Sequence, residues 1–103
     1  MNAKKMSMDE IRAALFKAAS DYEDYTDYKA EMQRKYQATS NDIAAMWYDG
    51  RMSFSEIAAA SGLSVDAMAR KYGIPYGTAN NWRAGRKTPS YIRYMLLICE
   101  DQI

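Results

Sequence analysis

The stretch of residues 62–89, GLSVDAMARKYGIPYGTANNWRAGRKTP, decides the fold of this chain. Ser64 is a residue type that caps helix N-termini, and Gly73 is a type that ends helices, so a short helix is predicted between them. A second short helix is predicted from about Tyr76 to Arg83, and Gly85 stops it. The stretch therefore predicts two short helices joined by a tight turn.

The small and apolar residues of this stretch indicate which face of the second helix is exposed. Ala69 lies four residues before Gly73, a spacing that lets two helices cross closely and lets the turn take a positive φ angle. Ile74 fills the corner, while Ala79 and Trp82 are predicted to anchor the second helix against the first. The residues left on its outer face are Tyr76, Gly77, Asn80 and Asn81. Because asparagine pairs bidentately with adenine, this helix is suited to reading base edges in a DNA major groove.

Helix signals continue on both sides of the stretch. Upstream, Ser53 with Glu56 three residues later forms a capping-box pattern, and the helix it starts is predicted to end at Gly62. Downstream, a last amphipathic helix is predicted from Ser90. We expect it to turn four side chains toward a core: Ile92, Met95, Leu96 and Cys99. Cys99 is the one cysteine of the chain and is interpreted as a small buried hydrophobe.

The N-terminal half carries a heptad-like apolar seam. Ser7 and Glu10 form a capping-box pattern that predicts a helix start. The seam that follows has spacings of mostly three and four residues and consists of Ile11, Leu15, Ala18, Tyr22, Tyr25, Met32 and Tyr36. One long helix, or two shorter helices bent near Asp27, is compatible with it. The seam can pack on the rest of the monomer or across a dimer. A further helix is predicted from Ser40 to Asp49.

Strand-like alternation is nearly absent, and only two prolines interrupt the chain. The sequence therefore predicts an all-α protein. Residues 51–103 are predicted to form a compact helix-turn-helix bundle of about four to five short helices. Residues 1–50 are predicted to form an N-terminal helical extension, with the boundary near Asp49–Met52.

The overall charge of +1 is unevenly distributed. Residues 1–50 carry seven basic and nine acidic residues, whereas residues 51–103 carry seven basic and four acidic residues. Between Ala67 and Cys99 every charged residue is basic: Arg70, Lys71, Arg83, Arg86, Lys87 and Arg93. A local excess of this kind is an electrostatic footprint for a polyanion, although a solvated basic face has the same composition.

The quoted stretch resembles the phage-repressor/Cro (XRE-like) helix-turn-helix family, and the likeness extends loosely over residues 54–101. The features in the positions that this family uses are the turn Ala69–Gly73–Ile74, the pair Ala79/Trp82 and the tail Trp82, Gly85, Pro89. The resemblance implies a bundle of about five helices that usually binds a palindromic operator as a homodimer. Its half-sites would then lie about one helical turn apart.

The resemblance also implies roles for individual residues. The base-reading positions are Tyr76, Gly77 and Asn81, with Thr78 and Asn80 at their edge. Phosphate contacts are implied at the start of the preceding helix and after the recognition helix, namely at Ser64, Val65, Arg86 and Lys87. Arg83, at the end of the recognition helix, is a further candidate phosphate contact because it belongs to the basic cluster.

Three features depart from the family pattern or compete with it. Gly77 lacks the long polar side chain often found at its position, so readout is expected to use few base pairs or DNA shape. Ala67 stands where many members carry a glutamate in a buried ion pair. The Ala69–Gly73 pattern also occurs eleven residues earlier, at Ala58–Gly62, which would make Val65–Tyr72 the recognition helix. The later register is favoured, because the earlier copy has no tryptophan-then-glycine tail.

The sequence predicts a sequence-specific double-stranded DNA-binding protein, a small repressor-like transcriptional regulator without cofactor or metal. An enzyme is disfavoured, since the chain has no histidine, no glycine-rich phosphate loop and no paired carboxylates in a credible cleft. The alternative is a protein-interaction module, such as an antitoxin-like or phage-encoded inhibitory protein, whose Tyr-rich residues 7–36 bind a partner. No membrane span or secretory leader is visible, so a cytoplasmic location is expected.

Overall fold

The computed structural model describes residues 6–103, and within that range the protein consists of helices without any strand. The helices are α1 (Met8–Ala19), α2 (Tyr25–Tyr36), α3 (Ser40–Asp49), α4 (Phe54–Ala60), α5 (Val65–Lys71), α6 (Tyr76–Arg83) and α7 (Ser90–Cys99). The prediction of an all-α fold is confirmed. The described residues form seven helices rather than four to five and an extension, because the N-terminal half folds into three separate helices.

Contacts between residues divide the chain into two units, and the first ends at Arg51 while the second begins at Met52. The first unit contains α1 to α3, and the second contains α4 to α7. In residues 6–103, no helix has both the length and the apolar character that crossing a bilayer requires.

In the first unit, α1 begins with the expected capping box and ends earlier along the chain than expected. The Ser7 hydroxyl accepts a hydrogen bond from the backbone N–H of Glu10, and the Glu10 carboxylate accepts one from the backbone N–H of Ser7. Residues 20–24 separate α1 from α2. The alternative of two shorter helices is therefore confirmed, whereas one long helix is wrong and the break lies before Asp27 rather than near it. The break occurs there because the Asp24 carboxylate caps α2, accepting a hydrogen bond of 2.9 Å from the backbone N–H two residues later.

Helices α1 and α3 run in the same direction and approach closely at their ends. Arg12 Nε lies 3.6 Å from Asp42 Oδ1 near the start of both helices. Near the end of both, Gly50 is so close to α1 that a Cβ on it would lie 2.5 Å from the carbonyl oxygen of Phe16. Helix α2 is the returning helix of this three-helix unit. The buried apolar residues of the whole unit are Leu15, Phe16, Ala19, Tyr28, Met32, Ile43 and Met46.

Tyr28 is the largest fully buried side chain of the first unit. Its hydroxyl donates a 2.9 Å hydrogen bond to the carbonyl oxygen of Leu15, and its ring centroid lies 4.9 Å from that of Trp47. Burial raises the pKa of the Tyr28 hydroxyl well above its usual range. The rings of Tyr22 and Tyr25 pack near it, at centroid distances of 5.6 Å and 6.4 Å. These tyrosines therefore stabilise the core of their own unit.

The second unit is assembled around α4. The Ser53–Glu56 capping box starts this helix, as the sequence predicts. The core of the unit is formed by apolar residues from all four helices: Phe54, Ile57, Ala58, Met68, Ala69, Ala79, Leu96 and Leu97. Helix α4 contacts α5, α6 and α7, and α5 also contacts α6.

Helix α7 is rotated relative to the expectation. Its buried residues are Arg93, Leu96 and Leu97, whereas Met95 is 50% exposed and Cys99 is exposed. The predictions that Met95 faces the core and that Cys99 is a buried hydrophobe are therefore wrong. The rotation is possible because the Arg93 guanidinium finds partners inside. It donates hydrogen bonds of 3.0 Å and 3.2 Å to the carbonyl oxygens of Thr88 and Met52. Burial nonetheless lowers the Arg93 pKa.

Candidate nucleic-acid interface

Helices α5 and α6 are joined by the four residues 72–75 in a tight turn. Gly73 has a φ angle of +67°, in the left-handed region that disfavours side chains. The backbone N–H of Ile74 then donates a 2.8 Å hydrogen bond to the carbonyl oxygen of Ala69, which closes the turn. Ala69 itself is 5% exposed, so its small side chain allows the two helices to meet. These are the contacts that the spacing of Ala69, Gly73 and Ile74 indicates.

Two side chains fix the inner face of α6. Ala79 is 1% exposed in the core of the second unit. Trp82 is half-buried rather than fully buried, and its ring centroid lies 5.1 Å from that of Phe54 on α4. An aromatic pair at this distance adds about 0.5–1.5 kcal/mol to the burial of its surface. The rotation of α6 about its own axis is therefore determined by contacts that lie away from its outer face.

The outer face of α6 carries the residues that the sequence assigns to base reading. Tyr76 is 70% exposed, and Gly77, Asn80 and Asn81 are exposed as well, while Thr78 is half-buried. Within residues 6–103, the side chains of Tyr76, Asn80 and Asn81 make no hydrogen bond. Pro75 precedes the helix without a side-chain cap, so first-turn N–H groups of α6 stay open too. The face thus presents amide, hydroxyl and aromatic groups to any ligand.

The competing register, with α5 as the exposed reading helix, contains a very similar turn. Gly62 has a φ angle of +73°, and the backbone N–H of Leu63 donates a 2.9 Å hydrogen bond to the carbonyl oxygen of Ala58. The turn geometry therefore does not distinguish the two registers. The number of buried side chains does distinguish them, because α5 buries both Met68 and Ala69. Helix α6 has only one buried residue, which favours it as the exposed helix.

The six basic residues of the second unit fall into two groups. Three are engaged within the unit: Arg83 donates to Asp66, Lys71 Nζ lies 2.6 Å from Glu100 Oε2, and Arg93 is buried. Three are exposed and have no ion-pair or hydrogen-bond partner among the described residues: Arg70, Arg86 and Lys87. The spacing of these residues along the chain does not indicate this division. It leaves Arg86 and Lys87 available for phosphates, whereas the Arg83 guanidinium would first have to leave Asp66.

Glu100 is the residue that follows α7, and its carboxylate connects this end of α7 to the end of α5. Its side chain is 8% exposed and accepts hydrogen bonds from Lys71 and from the Tyr72 hydroxyl, which together lower its pKa. The hydrogen bond that the Tyr72 hydroxyl donates to Glu100 raises the pKa of Tyr72 to about 12. Lys71 is therefore a structural cation of the second unit.

The two residues assigned to phosphates at the start of α5 differ in exposure. Ser64 is exposed, and its hydroxyl accepts a 3.0 Å hydrogen bond from the backbone N–H of Ala67, which caps α5. Val65 is half-buried. Nearby, an open depression of about 300 Å³ lies between α5 and α6, lined by Asp66, Ala69, Arg70, Ile74 and Tyr76. It brings Arg70 next to Tyr76, a proximity that the spacing of the sequence does not show.

No protein-family model matches the chain, and neither a curated protein nor a solved structure is significantly similar to it. The chain's own geometry defines an all-α protein with an exposed, amide-bearing helix beside free cations. Any assignment of function rests on these residues.

Proposed function

We propose that this chain is a sequence-specific double-stranded DNA-binding protein, a small repressor-like transcriptional regulator of the helix-turn-helix class. Helix α6 would enter the major groove. The observation that carries this proposal is the outer face of α6, where Tyr76, Asn80 and Asn81 point outward without internal partners while Ala79 and Trp82 hold the inner face. A helix so fixed presents hydrogen-bonding groups in a constant orientation, which base recognition requires.

The proposed division of labour follows the chemistry of each group. Asn81 and Asn80 are amides that can pair with adenine, and Tyr76 supplies a ring and a hydroxyl at the first turn. Gly77 adds no side chain, but the backbone there can approach the DNA closely because nothing lies within 4 Å of the position of its missing Cβ. With so few side chains, one copy reads few base pairs. The proposal therefore includes a homodimer on a palindromic site, whose two half-sites double the readout.

Phosphate binding is assigned to the free cations. Arg86 and Lys87 follow α6 directly and are exposed, and Arg70 lies beside Tyr76 in the depression between α5 and α6. Contacts of this kind position a protein on the duplex and make its affinity salt-dependent without selecting a sequence. Arg83 is placed second, because its guanidinium is bonded to Asp66.

The alternative role, protein binding through the Tyr-rich residues 7–36, draws less support from the structure than from the sequence. Tyr28 is fully buried, and the Tyr25 ring packs at 5.5 Å from that of Trp47. These rings stabilise the first unit and offer a partner little aromatic surface.

Salt-dependent binding to a duplex of random sequence tests the proposal without knowledge of the operator. Fluorescence anisotropy of the full chain is expected to show affinity that falls steeply with salt. Replacing Arg86 and Lys87 together by alanine is expected to reduce the logarithmic salt slope by about 2, since each phosphate contact contributes about 0.9. The matched control replaces Lys17 and Lys35, two exposed lysines of the first unit, and is expected to leave the slope unchanged. Absence of duplex binding by the unaltered chain at low salt would refute the proposal.

A further inference from the structure

Asp66 is the one acidic residue between Glu56 and Glu100, a segment that contains α5, α6 and α7. It lies in the first turn of α5, and it lines the depression between α5 and α6 together with Arg70 and Tyr76. Its side chain is 49% exposed. A carboxylate therefore lies on the surface that the proposed function assigns to a polyanion, where it disfavours binding.

The Asp66 carboxylate binds the guanidinium of Arg83. Arg83 Nη2 donates a hydrogen bond to Asp66 Oδ1, and this ion pair connects the start of α5 to the end of α6. Arg70 lines the same depression as Asp66 but forms no ion pair with it among the described residues. Of these two arginines, Asp66 engages Arg83 and leaves Arg70 free.

We propose that Asp66 is a positioning residue for DNA binding, whose carboxylate keeps the Arg83 guanidinium away from phosphates and thereby limits the affinity of the chain for any duplex. The inference rests on the proposed function. Because the carboxylate belongs to the same chain as Arg83, it competes with phosphates at a high effective concentration. A phosphate that approached Arg83 would also be repelled by the negative charge of Asp66.

This ion pair affects the part of binding that does not depend on sequence. Phosphate contacts raise the affinity for every duplex, and genomic DNA offers a large excess of sites other than the operator. An internal partner for Arg83 lowers such binding. It leaves the proposed base contacts of α6 unchanged, because neither Asp66 nor Arg83 is among the residues assigned to base reading.

Fluorescence anisotropy of the full chain on a duplex of random sequence tests the inference. Asp66→Asn removes the charge with little change in shape. It is expected to steepen the logarithmic salt slope by about 0.9, the contribution of one phosphate contact. Its gain in affinity over the unaltered chain should therefore shrink about threefold between about 50 mM and about 200 mM salt. Asp66→Glu keeps a carboxylate and is expected to bind like the unaltered chain.

Two controls separate the ion pair from the loss of a negative charge. Asp101→Asn removes one exposed carboxylate from the same unit, at a φ angle of +57° that asparagine also adopts. It is expected to leave the slope unchanged. Asp66→Asn in an Arg83→Ala background is likewise expected to have the slope of Arg83→Ala alone, because the effect requires the guanidinium. Unchanged far-ultraviolet circular dichroism shows that the variants are folded.

The outcomes distinguish this inference from the proposed function. If the unaltered chain binds the duplex and Asp66→Asn has the same slope, the inference is overturned and the proposed function is not. An equal steepening by Asp66→Asn without Arg83 would also overturn it, because the carboxylate would then act on the duplex directly. An unaltered chain that binds no duplex at low salt would overturn the proposed function and the inference with it.

Discussion

Replacement of Gly50 by alanine tests the close approach of α1 and α3. Gly50 has a φ angle of −71°, which any residue adopts, so the backbone itself permits the change. The new Cβ would lie 2.5 Å from the carbonyl oxygen of Phe16, 2.7 Å from the Cβ of Ala19 and 2.8 Å from the carbonyl oxygen of Met46. None of these atoms can rotate away, so the helices must separate.

The sign of the effect follows from two opposing contributions. Exchange of glycine for alanine at a permissive position stabilises by about 0.5–1 kcal/mol, because the unfolded chain loses freedom. Overpacking of a tight site costs about 1–3 kcal/mol. We therefore expect Gly50→Ala to lower the free energy of unfolding of the first unit by about 1–2 kcal/mol.

Gly77→Ala is the matched control with the opposite sign. Gly77 lies within α6, and nothing is found within 4 Å of the position of its missing Cβ. This exchange is expected to stabilise the second unit by about 0.5–1 kcal/mol, since alanine is the better helix former.

The two tryptophans of the chain separate the responses of the units. Trp47 reports on the first unit in a Trp82→Phe background, and Trp82 on the second in a Trp47→Phe background. Urea unfolding followed by tryptophan fluorescence is expected to show a lowered midpoint for Gly50→Ala and a raised one for Gly77→Ala, each against its own background. A Gly50→Ala variant at least as stable as its parent would refute the close α1–α3 approach.

Three further predictions concern the second unit. Arg93→Ala is expected to cost about 3 kcal/mol of unfolding free energy in urea titration, because it empties a buried site and removes the donor to buried carbonyl groups; equal stability would contradict this role. Glu100→Gln is expected to be less stable than the unaltered chain in thermal unfolding at pH values above 4.5, the carboxyl pKa of the unfolded chain. This difference should vanish as the pH falls through the lowered pKa of the folded chain, because Glu100 is then protonated in both states. A difference that persists in acid would exclude the Lys71 ion pair as its cause. Arg83→Ala is expected to leave the salt slope of duplex binding nearly unchanged, since its guanidinium bonds Asp66. A slope reduced by about 1 would instead identify Arg83 as a phosphate contact.

Helix starts were the most predictable part of this fold. Ser7, Ser53 and Ser64 each accept a hydrogen bond from the backbone N–H three residues later, as their positions in the sequence indicate. Capping is a local interaction between residues close in sequence, so the sequence alone contains the information it needs. The turn between α5 and α6 was predictable for the same reason. The positive φ angle of Gly73 and the hydrogen bond from the Ile74 N–H to the Ala69 carbonyl oxygen involve only residues close in sequence.

The orientation of α7 was not predictable from its pattern. The helix is apolar on nearly every side, so periodicity does not define one inner face. The face was decided by Arg93, whose burial depends on carbonyl oxygens supplied by Thr88 and by the distant Met52. Contacts between residues far apart in sequence decide such cases, and spacing does not reveal them.

The candidate interface likewise has one part that the sequence predicts and one part that it does not. The outward positions of Tyr76 and Asn81 followed from the helical period and from the anchors at Ala79 and Trp82. Which cations remain free did not follow, because the partner of Arg83 lies in another helix and its ion pair exists only in the folded chain.

Selection of binding sites from a random duplex library with the full chain tests the central claim most directly, namely that α6 reads a DNA sequence. We expect the unaltered chain to enrich a palindromic consensus with half-sites about one helical turn apart. Asn81→Ala is expected to bind that consensus about 1–3 kcal/mol more weakly and to lose preference at one position of each half-site. Asn41→Ala, an exposed asparagine of α3, is the control and is expected to retain the consensus. A library that shows no enriched sequence, or one whose consensus and affinity are the same for Asn81→Ala, would contradict the claim.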